Sequence, residues 1–567
     1  MTGNKHLFWA FSFFVACFLV SSFYLASHRS LCETLEAESA LIAKAFYEGK
    51  ATLINQLNGK EDLDKPPGFY WLICSLYNIS PSWEVAARLP SLGSVALFLF
   101  LFWKISEHFN LNKHLMFFWG FIFMFCPKTF WMSQVARMDM FFGFLCFLSL
   151  CFFLKAISGI EKDEQQGAQQ LNKGPILALF LSSGLAVMVK GPLGAILIFG
   201  TIVIYLLLDK RPYLIKKIFF TPHVIVFFIV CLPWYIYVVF ETDFRFFHRF
   251  ILEENLSRFT SLLPGGSFKE FNHSPPTRYL VYLLTGFFPW SMLIPFWCYK
   301  FIKSWHDLRL ETRLFFIYFG FVFLFFTIAT SKRSDYILPL YPAASFLCAS
   351  FLTSVGRDKL LRYSIGFIVW FLFTVSLCLA LVGGYVHFEG YVPLLSVLKQ
   401  KNNVIITFIL YNISGQYPLF VLLSLVFFVG LMMYKKIKDQ QFIAFFVASA
   451  GLLFLVIGIS FLPAIYRGKD VRPFCQRVNK IVCSRALYYA GFWDEECTFY
   501  LDRVVEKLDL NEVARVMEDS SQKIFFIVDK KRLKWMKKKG IRFFIIVREA
   551  NLVLRPLFLV SGRREPG

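Results

Sequence analysis

The sequence predicts a polytopic α-helical membrane protein, with about thirteen transmembrane helices and a small external α/β domain at the C-terminus. The 567 residues are 57% hydrophobic and only 17% charged, and the mean hydropathy is +0.56. Soluble proteins are usually less apolar and more heavily charged. Apolar runs rich in the 72 phenylalanines reach the roughly 18 to 20 residues that cross a bilayer. Lys and Arg recur in every second loop between these runs, as expected for cytoplasmic loops.

The predicted spans lie approximately at residues 7–26, 83–103, 114–131, 138–157, 174–189, 192–208, 218–240, 278–299, 313–330, 336–354, 362–382, 416–434 and 441–462. No small-residue cleavage site follows the first run, so we interpret it as a retained helix. With a cytoplasmic N-terminus, every basic loop falls on the cytoplasmic side, from Lys104 and Lys113 through to Lys435 and Lys436. An odd number of spans then places the C-terminus outside.

Two domains follow from this organisation. A transmembrane domain occupies residues 1–465 and carries external loops at 27–82 and 241–277. Residues 466–567 are too polar to span, and we predict an external α/β domain there. Its predicted strands are ALYYAGF, CTFYL, KIFFIVD, IRFFIIV and LVLRPLFLV, and its predicted helices are LNEVARVMED and KKRLKWMKKK.

The first external loop is the most informative stretch. It carries Glu33, Glu36 and Glu38 at its front and Asp64 beside Lys65 at its back. A Pro-Pro-Gly sequence follows and favours an extended turn. The segment AESALIAKAF has helix-forming composition, so we predict a surface helix followed by a charged loop. An ordinary solvated loop is the alternative.

Other external positions carry charges that crossing a membrane does not require: Arg137, Asp139, Lys190, Arg258, Lys332 and Arg333. Snorkelling of helix-end side chains is the simpler explanation for Arg137, Asp139 and Lys190. Lys332 and Arg333 lie against the positive-inside trend, and an anion would explain them. Cations at a membrane surface suit a lipid phosphate, and a nearby carboxylate suits activation of a hydroxyl. The residues alone therefore indicate either group transfer from a lipid-phosphate donor or transport of an anion.

The chain resembles the membrane glycosyltransferases of the C-type fold that use polyprenyl-phosphate sugars, in the branch of the protein O-mannosyltransferases and the lipid A aminoarabinose transferase. The matching segments occur in order along the chain: EAESALIAKAF, QLNGKEDLDKPPGFYWL, EVAARLPSL, ARMDM, VKGPLG, LPWYIYV, EENLSRF, GFFPWSMLIPF and TSKRSDYILPLYPA. The resemblance implies thirteen spans and, in the lipid A branch, an external C-terminal α/β domain. Both implications agree with the spans and domains predicted above.

The resemblance also implies catalytic residues. The family's first external loop opens with an acidic motif, commonly Asp-Glu, whose carboxylate is the proposed base. Here the register falls on Leu35–Glu36, so Glu36 is the best remaining candidate, with Glu33 or Glu38 as substitutes. Asp139 matches the family's second acidic site.

Further roles concern the donor phosphate. Asp64 and Lys65 match the family's acidic-Lys-Pro motif near that phosphate, and we predict Asp64 to be catalytic and Lys65 to bind the substrate. Arg88 matches an arginine that is either structural or faces the phosphate. The remaining predicted substrate-binding residues are Arg137, Lys190, Arg258, Lys332, Arg333 and Tyr336.

The sequence offers no evident ligand set for a divalent metal, although a metal is compatible with the reaction. The 13 cysteines lie mostly in apolar runs and show no metal-type spacing. Some lipid A members hold zinc with histidines that flank the Glu of the loop at 241–277. Those neighbours are Glu253 and Asn255 here, so we expect no zinc, and His248 and His273 are interpreted as ordinary loop residues.

We therefore predict an enzyme of the bacterial inner (plasma) membrane, with a cytoplasmic N-terminus and a periplasmic C-terminal domain. It would transfer a sugar from a polyprenyl-phosphate donor to a lipid A, glycan or protein acceptor on the external face. Its partners would be the lipid bilayer, that donor and that acceptor, without nucleic acid, because the net charge of +22 sorts by membrane side. The alternatives are a transporter or flippase of an anionic lipid or sugar, and a non-catalytic relative.

Overall fold

A computed structural model describes the chain at residues 2–33, 35–163, 172–256, 275–353, 359–389, 413–433, 447–453, 458, 462–463, 465–519, 524–548 and 556–562. The N-terminal part is helical. Its α-helices are α1 Thr2–Ser27, α2 Glu36–Tyr47, α3 Gly68–Tyr77, α4 Trp83–His108, α5 Lys113–Met124, α6 Pro127–Met132, α7 Met138–Asp163, α8 Lys173–Lys190, α9 Leu193–Leu208, α10 Tyr213–Phe219, α11 Val224–Glu241, α12 Thr277–Gly286, α13 Ile294–Lys303, α14 Leu310–Ile328, α15 Tyr341–Thr353, α16 Lys359–Glu389 and α17 Tyr417–Met433.

Shorter elements join these helices. A two-stranded antiparallel hairpin, β1 Gln56–Leu57 and β2 Lys60–Glu61, lies in the first loop. A π-helix runs over Phe247–Leu256, and 3-10 turns lie at Trp290–Leu293, Trp305–Asp307 and Leu338–Leu340. The core of the helical part is aromatic: Trp119 stacks on Phe102 with ring centroids 3.9 Å apart and donates to the carbonyl of Pro342 at 2.9 Å.

Six described helices are long and apolar enough to cross a membrane, or seven if the pair α12 and Trp290–Lys303, bent by 116°, counts as one span. They coincide with the predicted spans at 83–103, 138–157, 174–189, 218–240, 278–299, 313–330 and 362–382. Shorter apolar helices lie at five more predicted spans, and the span predicted at 441–462 falls largely outside the described residues. The polytopic helical architecture is confirmed, and the count of thirteen stays a prediction.

The C-terminal part contains a five-stranded sheet with helices on both faces. Its strands are β3 Leu487–Ala490, β4 Glu506–Leu508, β5 Phe525–Asp529, β6 Phe544–Arg548 and β7 Leu557–Ser561, and its helices are α18 Arg472–Val482, α19 Glu495–Leu501, α20 Leu510–Asp519 and α21 Lys530–Lys538. The strand order is β4-β3-β5-β7-β6, with β3 parallel to both neighbours and β7 antiparallel to both of its own. Alternate residues of β5 enter different cores, Phe525 one and Phe526 the other, as the two-residue period of a strand requires.

One predicted strand in this part is wrong. The run CTFYL lies in the helix α19, where Asp494 caps the first turn by accepting a hydrogen bond from the Cys497 amide at 2.9 Å. The acidic residues Glu495 and Glu496 in that turn also suit a helix N-terminus. The cap and the first-turn charges outweigh the strand propensity of the aromatic residues.

The first loop and the C-terminal part pack against each other. Lys469 Nζ lies 2.9 Å from Glu33 Oε1, and Lys44 Nζ lies 2.5 Å from Asp502 Oδ1. The Tyr500 hydroxyl accepts from the Leu31 amide at 3.0 Å. The two parts therefore lie on the same side of the membrane, so the chain must cross it an even number of times between them. We call the end of the bundle that carries them the loop face.

This arrangement predicts that the C-terminus is outside the cytoplasm. The first loop follows a single predicted span from a cytoplasmic N-terminus, so it lies outside the cytoplasm, and the C-terminal part lies on the same side. Alkaline phosphatase fused after Gly567 should therefore be exported and active. A matched fusion after Lys210, in a loop predicted to be cytoplasmic, should be inactive. A stable but inactive fusion at Gly567 would contradict the predicted topology.

Candidate active site

Two antiparallel helices bring opposite charges together at the loop face. Asp139 stands in the first turn of α7 and Lys190 ends α8, so each charge lies where the helix dipole favours it. Lys190 Nζ is 2.5 Å from Asp139 Oδ1, and Arg137 Nε is 3.1 Å from Oδ2. Buried ionisable groups at the ends of membrane helices are costly and usually serve a function. This ion-pair network is therefore the first part of the candidate site.

The network continues to two residues that the sequence analysis missed. Arg137 Nη1 is 2.9 Å from Asp335 Oδ2, and Lys128 Nζ is 2.5 Å from Asp335 Oδ1. Asp335 follows Arg333 by two positions in a motif already singled out, and Lys128 is a basic residue at a predicted external helix end. The motif that contains Asp335 and the helix-end position of Lys128 could therefore both have been recognised in the sequence.

Tyr336 lies beside this network. Lys190 Nζ is 5.1 Å from the centroid of its ring and 5.1 Å from that of Phe142. Such contacts stabilise an ammonium group in a partly dry site. Two predicted substrate-binding residues, Lys190 and Tyr336, are thus in contact.

Lys65 approaches the same end of α8 from the first loop. The start of α3 packs so closely on α8 that a Cβ at Gly68 would lie 2.6 Å from the Met188 carbonyl oxygen. Lys65 precedes this contact by one short turn, and Asn55 fixes its backbone by donating to the Lys65 carbonyl at 2.7 Å. The Lys65 ammonium is 2.7 Å from Glu38 Oε1 on α2, and its side chain is 26% exposed. Burial alone would lower the pKa of Lys65, but Glu38 and neighbouring groups hold it above its usual value, so the group stays charged.

Asp62 belongs to this loop and was not predicted as a site residue. Its amide donates to the Asn55 carbonyl at 2.8 Å, whereas its buried Oδ2 has no hydrogen-bond partner among the described residues. Burial raises the pKa of the Asp62 carboxyl to about 7, with Lys65 opposing the shift. Near neutral pH much of this carboxyl is therefore uncharged, which leaves Glu38 as the main counter-ion of Lys65.

Asp64 faces the π-helix that follows α11. Arg249 Nε is 2.8 Å from Asp64 Oδ1, and Arg249 Nη1 is 2.7 Å from Glu253 Oε2. His248 Nδ1 lies 3.3 Å from Glu253 Oε1. Arg249 thus joins the two loops, a role that the sequence analysis did not identify. In the described part of the chain, no group of three His, Cys, Asp or Glu side chains could hold a metal ion.

Glu36 is not placed as the sequence analysis expected. It is fully buried and accepts from Arg29 at 3.0 Å, from Arg88 Nε at 2.7 Å and from the Ala136 amide at 2.9 Å. Burial alone would raise the pKa of the Glu36 carboxyl, but Arg29 and Arg88 outweigh it and hold the pKa at about 2. A carboxylate with both oxygens occupied and a low pKa does not suit a general base. The geometry instead gives Glu36 a structural role.

Arg88 was predicted to be either structural or phosphate-facing, and its contacts agree with the structural role. Besides Glu36, it donates to the carbonyls of Ala26 at 2.5 Å and Ser30 at 2.6 Å. With Arg29 and Glu36 it forms a buried cluster that joins α1, α2 and α4. No phosphate can reach a guanidinium so enclosed without rearrangement.

Leu35 occupies the position where the family motif commonly has an acid. Its φ of 70° lies in the left-handed region, which a leucine rarely adopts. The neighbouring Glu33 is paired with Lys469, so neither position supplies an unpaired carboxylate.

Arg137 also lines a basic cavity of about 610 Å³. Its charged lining consists of Glu33, Lys128, Arg137, Lys332, Arg333 and Asp335. Since Glu33 is paired with Lys469, and Asp335 with Lys128 and Arg137, the cavity is net positive. Trp131 and Tyr282 add aromatic surface.

Lys332 and Arg333 both line this cavity, but their side chains differ in how fully they are hydrogen-bonded or paired within the chain. Lys332 Nζ donates to the carbonyls of Thr327 at 2.9 Å and Ala329 at 2.6 Å, which satisfies acceptors at the C-terminus of α14. The Arg333 side chain is 28% exposed, and its Nε is 4.0 Å from Asp335 Oδ2. Arg333 is therefore freer to meet an anion. Arg258, the last predicted site residue, lies outside the described residues.

The chain is similar to several known proteins. Residues 64–237 match the family described as dolichyl-phosphate-mannose-protein mannosyltransferase. The undecaprenyl phosphate-alpha-4-amino-4-deoxy-L-arabinose arabinosyl transferase of Yersinia enterocolitica is 25% identical over 377 residues, which cover 64% of each chain. An uncharacterized protein of Aquifex aeolicus is 26% identical over 493 residues, or 86% of each chain. The chain thus spans a little under two thirds of the Yersinia transferase.

Solved structures give the same fold. ArnT from Cupriavidus metallidurans bound to undecaprenyl phosphate has a TM-score of 0.76 with this chain at 17% identity, covering 97% of this chain and 98% of that one. Its apo state has a TM-score of 0.75. The resemblance drawn from the ordered sequence segments is confirmed.

Proposed function

We propose that this relative of the arabinosyl and protein mannosyl transferases is itself a membrane glycosyltransferase that uses a polyprenyl-phosphate sugar as donor. The acceptor would be a lipid A, glycan or protein on the side of the loop face, in the bacterial inner membrane. The observation that carries the proposal is the buried ion-pair network of Asp139, Lys190 and Arg137 at the ends of membrane helices, together with Lys65 in the loop that packs on the end of α8. A membrane bundle has no need of such a buried charged network for its stability.

The proposed reaction breaks the bond between the anomeric carbon and the donor phosphate. Negative charge develops on the leaving phosphate, so fixed cations beside it stabilise the transition state. Lys65 has three donor hydrogens and gives one to Glu38, which leaves two for phosphate oxygens. We assign Lys65 to the leaving phosphate, since it is a partly exposed cation in the loop that packs on the end of α8.

The other predicted residues divide between positioning and binding. Asp139 holds Lys190 and Arg137 in place, while Tyr336 and Lys190 form one wall of the proposed donor site. Arg333 and Lys332 would attract the anionic headgroup from the basic cavity. Asp64 would hold Arg249 and thereby connect the first loop to the π-helix.

Mass spectrometry of lipid A, glycans and proteins tests this function in cells. Cells with and without the gene should differ by one sugar residue on one of these acceptors, and the wild-type gene should restore it. An identical profile with accumulated full-length protein would count against a transferase. Cells complemented with an inactive variant serve as the control for effects of protein insertion alone.

A further inference from the structure

We propose that a cavity between the first-loop hairpin and the C-terminal α/β domain binds one sugar ring, with the exposed face of Trp493 as its aromatic wall. This inference rests on the proposed function and deepens it, because it gives the C-terminal domain a part in substrate recognition. The ring belongs either to the lipid-linked donor or to a glycan acceptor, and kinetics can separate these two sources.

The cavity has a volume of about 210 Å³ and lies where the two parts of the chain meet. Leu41 of α2 and the hairpin residues Leu57 and Asn58 line it from one side. Trp493 and Thr498, at the start of α19, line it from the other. Drug-sized ligands usually occupy about 300 to 1,000 Å³, so this space suits a single small ring rather than a lipid chain or a peptide.

Trp493 gives the cavity an aromatic face. The residue is 41% exposed and follows the carboxyl end of β3, which pairs in parallel with β4 on one side and β5 on the other. The helices after β3 and β5 cover opposite faces of the sheet, and ligands usually bind beyond the carboxyl ends of such strands. The C–H groups of a sugar ring pack well on an indole face, which carries partial negative charge.

The hairpin side of the cavity offers hydrogen-bond acceptors. Asn58 donates to the Val505 carbonyl at 3.2 Å, but its buried Oδ1 has no partner among the described residues. The buried Oδ2 of Asp62, which also lines the cavity, lacks one as well. Buried acceptors without donors are unfavourable, and the hydroxyl groups of a sugar would supply the missing donors. An aromatic face combined with polar acceptors therefore suits a sugar ring, which has apolar faces and a polar edge.

The charges of the cavity do not favour a phosphate. Its lining includes Lys60 together with Glu61 and Glu495, and Glu61 also pairs with Arg245 at 3.1 Å. Cations therefore have no excess here, in contrast to the basic cavity around Arg333. An anionic headgroup is better placed in the basic cavity, and a ring without a phosphate is better placed beside Trp493.

The cavity is also close to the cation that we assign to the leaving phosphate. Asp62 precedes Lys65 by three positions, and the charge of Lys65 opposes the rise in the pKa of the Asp62 carboxyl. Leu41 lies one turn after Glu38 on α2, and Glu38 is the partner of Lys65. A ring in the cavity would therefore lie near the reacting phosphate, as both the transferred sugar and the sugar that receives it require.

Replacing Trp493 tests the inference in the full-length protein. The binding probes are undecaprenyl phosphate without a sugar and the lipid-linked sugars extracted from the same cells. Turnover is the rate at which polyprenyl phosphate is released from those lipid-linked sugars. Trp493→Ala should bind undecaprenyl phosphate as wild type does, but its kcat/KM should fall about tenfold. Trp493→Phe keeps an aromatic face and should retain most of the turnover.

The kinetics of Trp493→Ala identify the source of the ring. If the ring is the donor's, KM for the lipid-linked sugar should rise and its binding should weaken about tenfold, with KM for the acceptor membranes unchanged. If the ring is the acceptor's, KM for the acceptor membranes should rise, with binding of the lipid-linked sugar unchanged. Either result supports a sugar site at Trp493.

Two further variants complete the design. Leu41→Trp would fill the cavity from the side of α2 and should reproduce the losses of Trp493→Ala. Phe544→Ala is the matched control, because Phe544 is 43% exposed on β6 at the other edge of the sheet, and this variant should behave as wild type.

Wild-type kinetics in both Trp493→Ala and Leu41→Trp would overturn the inference. Equal loss of binding for undecaprenyl phosphate and for the lipid-linked sugars would also overturn it, since that pattern indicates a structural defect. If the wild-type protein neither binds undecaprenyl phosphate nor releases it from lipid-linked sugars, the proposed function fails, and this inference fails with it.

Discussion

Replacing Glu36 by glutamine is expected to lower the free energy of unfolding by about 3 to 5 kcal/mol, because it leaves two buried arginines without their shared counter-ion. Arg29 and Arg88 would keep only neutral acceptors, chiefly backbone carbonyls. The cluster also joins α1, α2 and α4, so its loss should release the first loop from the bundle. Thermal unfolding of the detergent-solubilised protein measures the effect.

The pH dependence of this contribution has a defined sign. The Glu36 carboxyl has a folded pKa of about 2, depressed from 4.5, which corresponds to about 3 kcal/mol of stability. Because the folded value is the lower one, this stability is fully present above pH 4.5 and is lost as the pH falls toward 2. The difference in unfolding temperature between wild type and Glu36→Gln should therefore be large at pH 7 and shrink through that window.

Glu48→Gln is the matched control for stability. Glu48 follows the same helix and pairs with Lys44 and Lys50 near the surface, so its loss should cost less than about 1 kcal/mol. If Glu36→Gln were as stable as wild type yet inactive, the structural role would be wrong and a catalytic role for Glu36 would return.

Replacing Lys65 by alanine is expected to slow release of polyprenyl phosphate by about 10²- to 10³-fold, the usual effect of removing one preorganised donor from a developing anion. The protein should still insert and fold, because the side chain is partly exposed and its loop is held by Asn55. Affinity for undecaprenyl phosphate should fall as well. The rate at saturating donor and acceptor is the quantity to measure.

Lys60→Ala controls for the charge of the same loop. Lys60 is exposed at the hairpin and takes no part in the ion pairs around Lys65. It should retain wild-type turnover and binding. Equal activity in Lys60→Ala and Lys65→Ala would remove the first loop from the proposed mechanism.

Local patterns in the sequence predicted much of the fold. Apolar runs of sufficient length gave the helices α4, α7 and α8, and helix-forming composition gave α2. The alternation of basic loops predicted that the first loop and the C-terminal part lie on the same side of the membrane, and the two parts are in contact. These features depend on short segments, so they can be recognised without knowledge of tertiary packing.

The site was harder to predict because it depends on partners distant in sequence. Glu36 looked exposed in a polar loop, but Arg29 and Arg88 approach it only when α1, α2 and α4 pack together. The ion pair between Arg137 and Asp335 joins residues 198 positions apart, so no local motif could predict it. Which carboxylate remains available depends on such pairs, so sequence motifs identified the charged residues but not their roles.

Release of polyprenyl phosphate in vitro tests the central claim most directly. Purified protein is mixed with lipid-linked sugars and acceptor membranes from the same cells, and both lipid and acceptor products are followed by mass spectrometry. We predict free polyprenyl phosphate and glycosylated acceptor in equal amounts with the wild-type protein, and formation of both about 10²- to 10³-fold more slowly with Lys65→Ala. An intact donor lipid that is bound or moved across vesicles without cleavage would contradict the account and favour a transporter.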